Sequence, residues 1–259
     1  MKILIVNPPH PSIGSRIPDD HLPPLGLLKI AGPLIDDGHC VSLFDAELGP
    51  AKISEVVEHI TSEAPDLLLI GHSGSTSAHT IAIEIAELAK RQTKNLLTIY
   101  GGVFPTYHWR DILMQCPSID YIVKGEGEES CRQLVNALSQ MKTIEDVAGI
   151  AFRKDARPIA TRPRPMIVDL DAYRVGWELI DFADYSYWGG NEPLSFNFQG
   201  VAPIRVITAV KEGFGLGGAT MIQKTLLGKL QDCIVTTTLK YSISPMKTRP
   251  PPKKCGDDF

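Results

Sequence analysis

Five apolar runs of strand length alternate with five segments whose apolar residues recur every three or four positions, and no other feature limits the fold of this chain as tightly. The runs are Lys2–Val6, Val41–Phe44, Asp66–Ile70, Leu96–Tyr100 and Tyr121–Val123. The segments Leu25–Asp36, Ile53–Ala64, Ala78–Arg91, Tyr107–Gln115 and Glu128–Leu138 have the spacing of amphipathic helices. Strict strand–helix alternation requires a parallel sheet with right-handed crossovers. Leu67-Leu68-Leu69-Ile70 is apolar throughout, as a strand covered on both faces must be. The expected class is α/β: a flavodoxin-like, doubly wound, five-stranded parallel sheet in the order 2-1-3-4-5 over residues 1–140, followed by an irregular tail.

Composition excludes several functions. With 43% hydrophobic residues the chain can bury a sizeable core, and a net charge of -4 gives no basis for non-specific nucleic-acid binding. The first apolar run stops at Asn7-Pro8-Pro9, too short for a signal peptide or a membrane span, so a cytoplasmic location is expected. The five cysteines are scattered without a C-x-x-C pair, so no cysteine metal site is expected.

Open α/β sheets bind ligands beyond the carboxyl ends of their strands. The unusual residues of this chain follow those ends. The first run leads into Asn7-Pro8-Pro9-His10-Pro11-Ser12, the third into Gly71-His72-Ser73-Gly74-Ser75-Thr76, the fourth into Gly101-Gly102-Val103-Phe104-Pro105-Thr106 and the fifth into Gly125-Glu126-Gly127-Glu128. Glycine lets backbone approach a ligand and hydroxyls can hydrogen-bond it. Any one such loop is equally well an ordinary turn or helix cap, but four on one edge favour a ligand site. The first loop lacks G-x-G-x-x-G and no P-loop occurs, so a large flat ligand fits better than a dinucleotide. His10, His72, His79 and His108 flank the edge; any of them could be a metal ligand or a catalytic acid–base group, but a lone loop histidine is more often a solvated or capping side chain. Glu126 and Glu128 read as first-turn acids that complement a helix dipole, and the Asp19-Asp20 and Asp36-Asp37 pairs as solvated turn residues. On the residues alone, a stand-alone module for a flavin or another small ligand stays open.

These loops, with His21-Leu22-Pro23-Pro24-Leu25-Gly26-Leu27, resemble the amino-terminal cobalamin-binding domain of B12-dependent radical SAM proteins. Pro23-Pro24-Leu25-Gly26, Gly102 to Arg110 and Tyr173 to Ile180 resemble one branch of that family, the anaerobic oxidative cyclases of magnesium-protoporphyrin IX monomethyl ester. The resemblance covers residues 1–190 and implies a corrin ring resting on the strand ends with its nucleotide tail entering the domain. Carried onto this chain, the cofactor-binding residues would be Pro8, Pro9, Ser12, Ser73, Gly74, Ser75, Thr76, Gly101, Gly102, Val103, Pro105, Gly125, Glu126 and Gly127. Ser73, Ser75 and Thr76 would contact the tail and Gly101-Gly102 would let it pass. Pro8 stands two residues before His10 and Gly14 four after it, so the D-x-H-x-x-G of proteins that ligate cobalt through histidine is not matched. The family also implies a barrel with C-x-x-x-C-x-x-C, whose three thiolates hold a [4Fe-4S] cluster that cleaves S-adenosylmethionine. In this branch the substrate would be a magnesium porphyrin, oxidised on its propionate ester side chain to close the fifth ring.

That motif is missing from the chain, and the composition changes where it would be expected. Residues 1–190 hold 17 Lys and Arg against 25 Asp and Glu, whereas residues 191–259 hold 9 against 5, so the two parts are of different kinds. Read one base out of frame with synonymous codons, Gly190 to Ala219 can encode C-x-x-x-C-x-x-C, with its cysteines on the junctions Val201/Ala202, Arg205/Val206 and Thr208/Ala209. Residues 191–259 are therefore expected to be an out-of-frame, poorly ordered tail, and 141–190 a linker towards a missing barrel. Gly213-x-Gly215-x-x-Gly218 lies in that tail without a surrounding βαβ unit and is coincidental.

Overall fold

The computed structural model describes residues 1–9, 22–48, 51–72, 76–187 and 192–193, with the backbone alone at 76–77, 186–187 and 192–193. Nine strands and five α-helices occur among them. β1 (Lys2–Asn7), β2 (Cys40–Asp45), β3 (Leu67–His72), β4 (Leu97–Gly102) and β5 (Tyr121–Val123) alternate with α1 (Leu25–Asp36), α2 (Ile53–Glu63), α3 (Thr76–Gln92), α4 (Val103–Gln115) and α5 (Glu128–Ser139). The first five strands pair in parallel in the order 2-1-3-4-5, with Gly71 beside Gly101 and His72 beside Gly102 in register. Their carboxyl ends therefore share one edge, as expected.

The sheet has seven strands, not five. β6 (Ile150–Lys154) and β7 (Arg157–Ala160) continue the order as an antiparallel hairpin on β5. Its turn, Asp155-Ala156, has φ of 49° and 60°, a hairpin geometry without the glycine that usually marks it in a sequence. Pro158 sits in the outermost strand, where a missing N–H costs nothing.

Alternation along the strands divides the core. Leu4 and Val6 face α2, α3 and α4 with Val56, Ile60, Ile85 and Ile112. Ile3 and Ile5 face α1 and α5 with Ala31, Leu34, Leu134 and Val135. Each such side chain contributes about 1.5–3 kcal/mol on leaving water, so a register slip of one residue would exchange the two cores and is strongly disfavoured.

Residues 161–185, expected within a linker, lie as a strap along α1 and α5. The Gly176 amide donates to the Leu28 carbonyl at 2.9 Å, and Lys29 Nζ donates to the Leu170 carbonyl at 3.0 Å. Arg164 donates to Ser130 Oγ at 2.7 Å and Arg174 pairs with Asp36 at 2.9 Å. A Cβ on Gly32 would lie 1.9 Å from the Arg174 carbonyl oxygen, so only glycine admits the strap there. Asp36 and Asp37 are thus not merely solvated: the first pairs with Arg174 and the second holds Arg132 through two bonds of 2.7 and 2.6 Å. The expected tail, apart from the Glu192–Pro193 strand β9 that pairs with β8 (Ser186–Tyr187), lies outside the described residues.

Candidate functional site

The site is built from the ends of β1, β3, β4 and β5. Odd-numbered strand residues near these ends face α1 and α5, and there β3 and β4 present Gly71 and Gly101 side by side. Neither has a side chain, but only at Gly101 does this leave open space. A Cβ on Gly101 would meet only Val123, at 3.9 Å, which is ordinary contact; one on Gly71 would meet Leu27 Cδ2 of α1 at 2.7 Å. The next residue, Gly102, has φ 119° and ψ -172°, a region reserved in practice for glycine, and a Cβ there would lie 3.1 Å from the His72 carbonyl oxygen. Gly102 thus serves the backbone path, while Gly101 leaves space.

Across the edge, Gly125 has φ 72° with nothing within 4 Å of a Cβ, whereas a Cβ on Gly127 would lie 3.1 Å from Ile30 Cδ1 of α1. Two of the expected site residues take structural partners. Glu126 accepts a short hydrogen bond from the Ile167 amide of the strap, which goes beyond a dipole role, and Pro105 is buried in the first turn of α4. Pro8 and Pro9 are buried just after β1, Val103 is exposed at the start of α4, and Thr76 begins α3. Ser12, Ser73, Gly74 and Ser75 lie outside the described residues, as do His10 and Asp19-Asp20.

Two arrangements at this edge are not legible as patterns. First, Asn7 Nδ2 donates to Asp45 Oδ1 at 2.7 Å, and the Tyr185 hydroxyl, at the end of the strap, donates to Asp45 Oδ2 at 3.0 Å. Burial raises the Asp45 carboxyl, against the hydrogen bonds from Asn7 and Tyr185 that lower it, and burial beside Asp45 raises the Tyr185 hydroxyl. Secondly, the expected solvated histidines join a column on the α3–α4 face. His72 Nε2 lies 2.8 Å and His79 Nδ1 3.4 Å from the buried Tyr100 hydroxyl, and His79, Phe104 and His108 stack at 4.4 and 4.3 Å. His72 is only 7% exposed, which corrects the solvated reading. Burial, then the charge of His108, lowers the His79 imidazole. Tyr100 so ties His72 and His79, on either side of the β3–α3 loop, to β4.

Among the described residues no three His, Cys, Asp or Glu side chains are grouped to hold a metal. Nor is any helix among the described residues long and apolar enough to cross a membrane. Two clefts, of about 370 and 260 Å³, are lined by Glu129, Arg164 and Tyr173 and by His79, Glu87 and Cys116, beside the glycines rather than over them.

A doubly wound sheet with paired glycines over its strand ends is the frame of a cofactor domain, and residues 17–135 match the B12 binding domain family: the chain carries a B12-binding domain. More particularly, it is 55% identical over 203 residues to the anaerobic magnesium-protoporphyrin IX monomethyl ester cyclase of Synechocystis sp., covering 78% of this chain and 41% of that protein. The cyclase of Rubrivivax gelatinosus is 32% identical over 192 residues, 72% of this chain and 34% of the relative. An uncharacterized methyltransferase of Pyrococcus horikoshii is also 32% identical, over 186 residues, 71% of this chain and 40% of the relative. The chain spans about two fifths of the length of the first of these relatives. Two solved structures share the fold. The cobalamin-dependent radical enzyme OxsB with aqua-cobalamin and S-adenosylmethionine bound gives a TM-score of 0.53 at 21% identity over 63% of this chain and 22% of its own. The methyltransferase TsrM of Kitasatospora setae with cobalamin and a [4Fe-4S] cluster bound gives 0.52 at 19% identity over 67% of this chain and 30% of its own.

Proposed function

We propose that this chain is the cobalamin-binding part of an anaerobic oxidative cyclase that forms the isocyclic ring of (bacterio)chlorophyll from magnesium-protoporphyrin IX monomethyl ester. The observation that carries the reading is the glycine pair Gly71 and Gly101, in register at the strand ends, with Leu27 of α1 seated on Gly71 and open space left at Gly101. A nucleotide tail needs such a path, and the chemistry of the edge suits it: backbone amides, small residues and, in the sequence, the hydroxyls of Ser73, Ser75 and Thr76. In this reading Pro8, Pro9, Ser12, Gly102, Val103, Pro105, Gly125 and Gly127 border the corrin or its tail, and Glu126 holds the strap beside them. Cobalamin supplies the cobalt chemistry; the domain binds and orients it. The family match does not favour a flavin module.

Titration of the purified chain with hydroxocobalamin tests this reading. The expected result is about one equivalent bound, as one strand-end site implies, with perturbed corrin absorbance and no binding of a flavin mononucleotide. Absence of corrin binding, or preference for the flavin, overturns it.

The same reading covers the finer features. The chain acts in the cytoplasm, residues 141–190 lead towards a radical SAM barrel, and residues 191–259 are an out-of-frame tail. Without C-x-x-x-C-x-x-C it assembles no [4Fe-4S] cluster and does not cleave S-adenosylmethionine by itself. Sequencing the DNA around codons 185–195 decides the frame. Anaerobic iron-sulfide reconstitution decides the cluster: a cluster-bearing, SAM-cleaving product from this chain would overturn its inactivity.

A further inference from the structure

Thr106 lies in the first turn of α4, and its hydroxyl is the joint between two loops of the strand-end edge. It donates to the carbonyl of Gly102 at 2.7 Å and accepts from the amide of Gly125 at 3.0 Å. Both partners are glycines held at positive φ, 119° and 72°. Each conformation is costly for any other residue, and for glycine it is one of several equally accessible, so something outside the loop must select it. A hydroxyl that donates one way and accepts the other fixes both at once. From Gly125 the chain passes to Glu126, whose carboxylate holds the Ile167 amide. One side chain thus sets the β4–α4 junction, the β5–α5 loop and the strap at Ile167 relative to one another.

We infer that Thr106 is a positioning residue for the cobalamin cradle, acting through Gly102 and Gly125 without touching the ligand. The inference rests on the cobalamin reading above. Preorganisation explains the effect: loops already in the bound conformation lose less freedom when the ligand arrives. Valine at this position keeps the shape and removes both bonds, leaving the Gly125 amide without its partner. Serine keeps both bonds and removes a methyl group.

The test is hydroxocobalamin affinity of the full chain and of its Thr106→Val and Thr106→Ser variants, with thermal melting and amide exchange at Gly125 measured on the same samples. Thr106→Val is expected to weaken binding about tenfold, the size of one or two net hydrogen bonds, and to speed exchange at Gly125. Thr106→Ser is expected to bind within about twofold of the parent by the same count. A merely structural role would lower the melting temperature in Thr106→Val and leave affinity unchanged, and that result overturns the inference while the cobalamin reading stands. Failure of Thr106→Ser to restore affinity also overturns it. A parent chain that binds no hydroxocobalamin overturns the cobalamin reading and this inference together.

Discussion

The two edges of the sheet are built on opposite rules. At the amino-terminal edge several approaches are tied by side chains. The Lys2 amide donates to Asp66 at 2.7 Å, the Thr98 amide to Asp120 at 2.8 Å, and Lys90 pairs with Asp120 at 2.6 Å. Arg153 of β6 spreads over the carbonyls of Leu113, Cys116, Pro117 and Ile119, closing the α4–β5 turn. At the carboxyl edge β3 closes with Gly71-His72 and β4 with Gly101-Gly102, and the β5–α5 loop adds Gly125 and Gly127. Side chains that would fill the space are missing there, and the polar ties that exist, through Thr106, Tyr100 and Tyr185, run beneath or beside the glycines. Side-chain ties are thus gathered at one end of the strands, and the other end is the one proposed above to hold the ligand.

If that division holds, substitutions at the two edges separate binding from stability. The largest effect is expected from Gly101→Phe. Its Cβ has room, but the ring would fill the path between sheet and α1, so hydroxocobalamin affinity should fall at least about 100-fold, near 2.7 kcal/mol, with the fold retained by circular dichroism. Unchanged affinity would remove Gly101 from the site. Gly102 is a poorer probe, since its backbone alone forbids a side chain.

Arg153→Ala should do the reverse. Losing its bonds to the turn carbonyls is expected to lower unfolding free energy by about 2 kcal/mol in denaturant titration while leaving cobalamin affinity unchanged. An affinity loss as large as the stability loss would dissolve the division between the edges.

The smallest effect concerns acid. The hydrogen bonds from Arg132 hold the Asp37 carboxyl down to about 2, below the value of about 3.9 for a free aspartate. A lowered folded-state value means that the pair's contribution is complete above about pH 4 and disappears as pH falls towards 2. Asp37→Asn should therefore be less stable than the parent at neutral pH, with the gap closing across that window. A gap that persists unchanged at the acid end would show that the charge of Asp37 is not its source.

Much of this was legible in the sequence because it is periodic. The alternation of apolar runs and helical spacing gives the five parallel strands and the edge on which Gly71, Gly101 and Gly125 fall, and the order follows only once the flavodoxin-like class is chosen. The β6–β7 hairpin was not, since Asp155-Ala156 carries no glycine and its strands are short. His72 read as solvated because nothing local announces a partner 28 residues away, the buried Tyr100 hydroxyl. The strap had only one trace, Gly32-Pro33 inside α1, where a helix has no local use for either residue.

By itself, then, the sequence determined what depends on neighbours along the chain: which residues form strands and helices, which face of each is apolar, and where strands end in glycine and hydroxyls. Only the tertiary structure decided what depends on residues far apart in sequence. It set Gly71 against Gly101, joined Gly102 to Gly125 through Thr106, closed Asn7, Asp45 and Tyr185 into one network, and laid residues 161–185 over α1 and α5. The physical reason is range. Hydrophobic periodicity is written at intervals of two to four residues, whereas a hydrogen bond between loops is specified by three-dimensional packing that no local window contains.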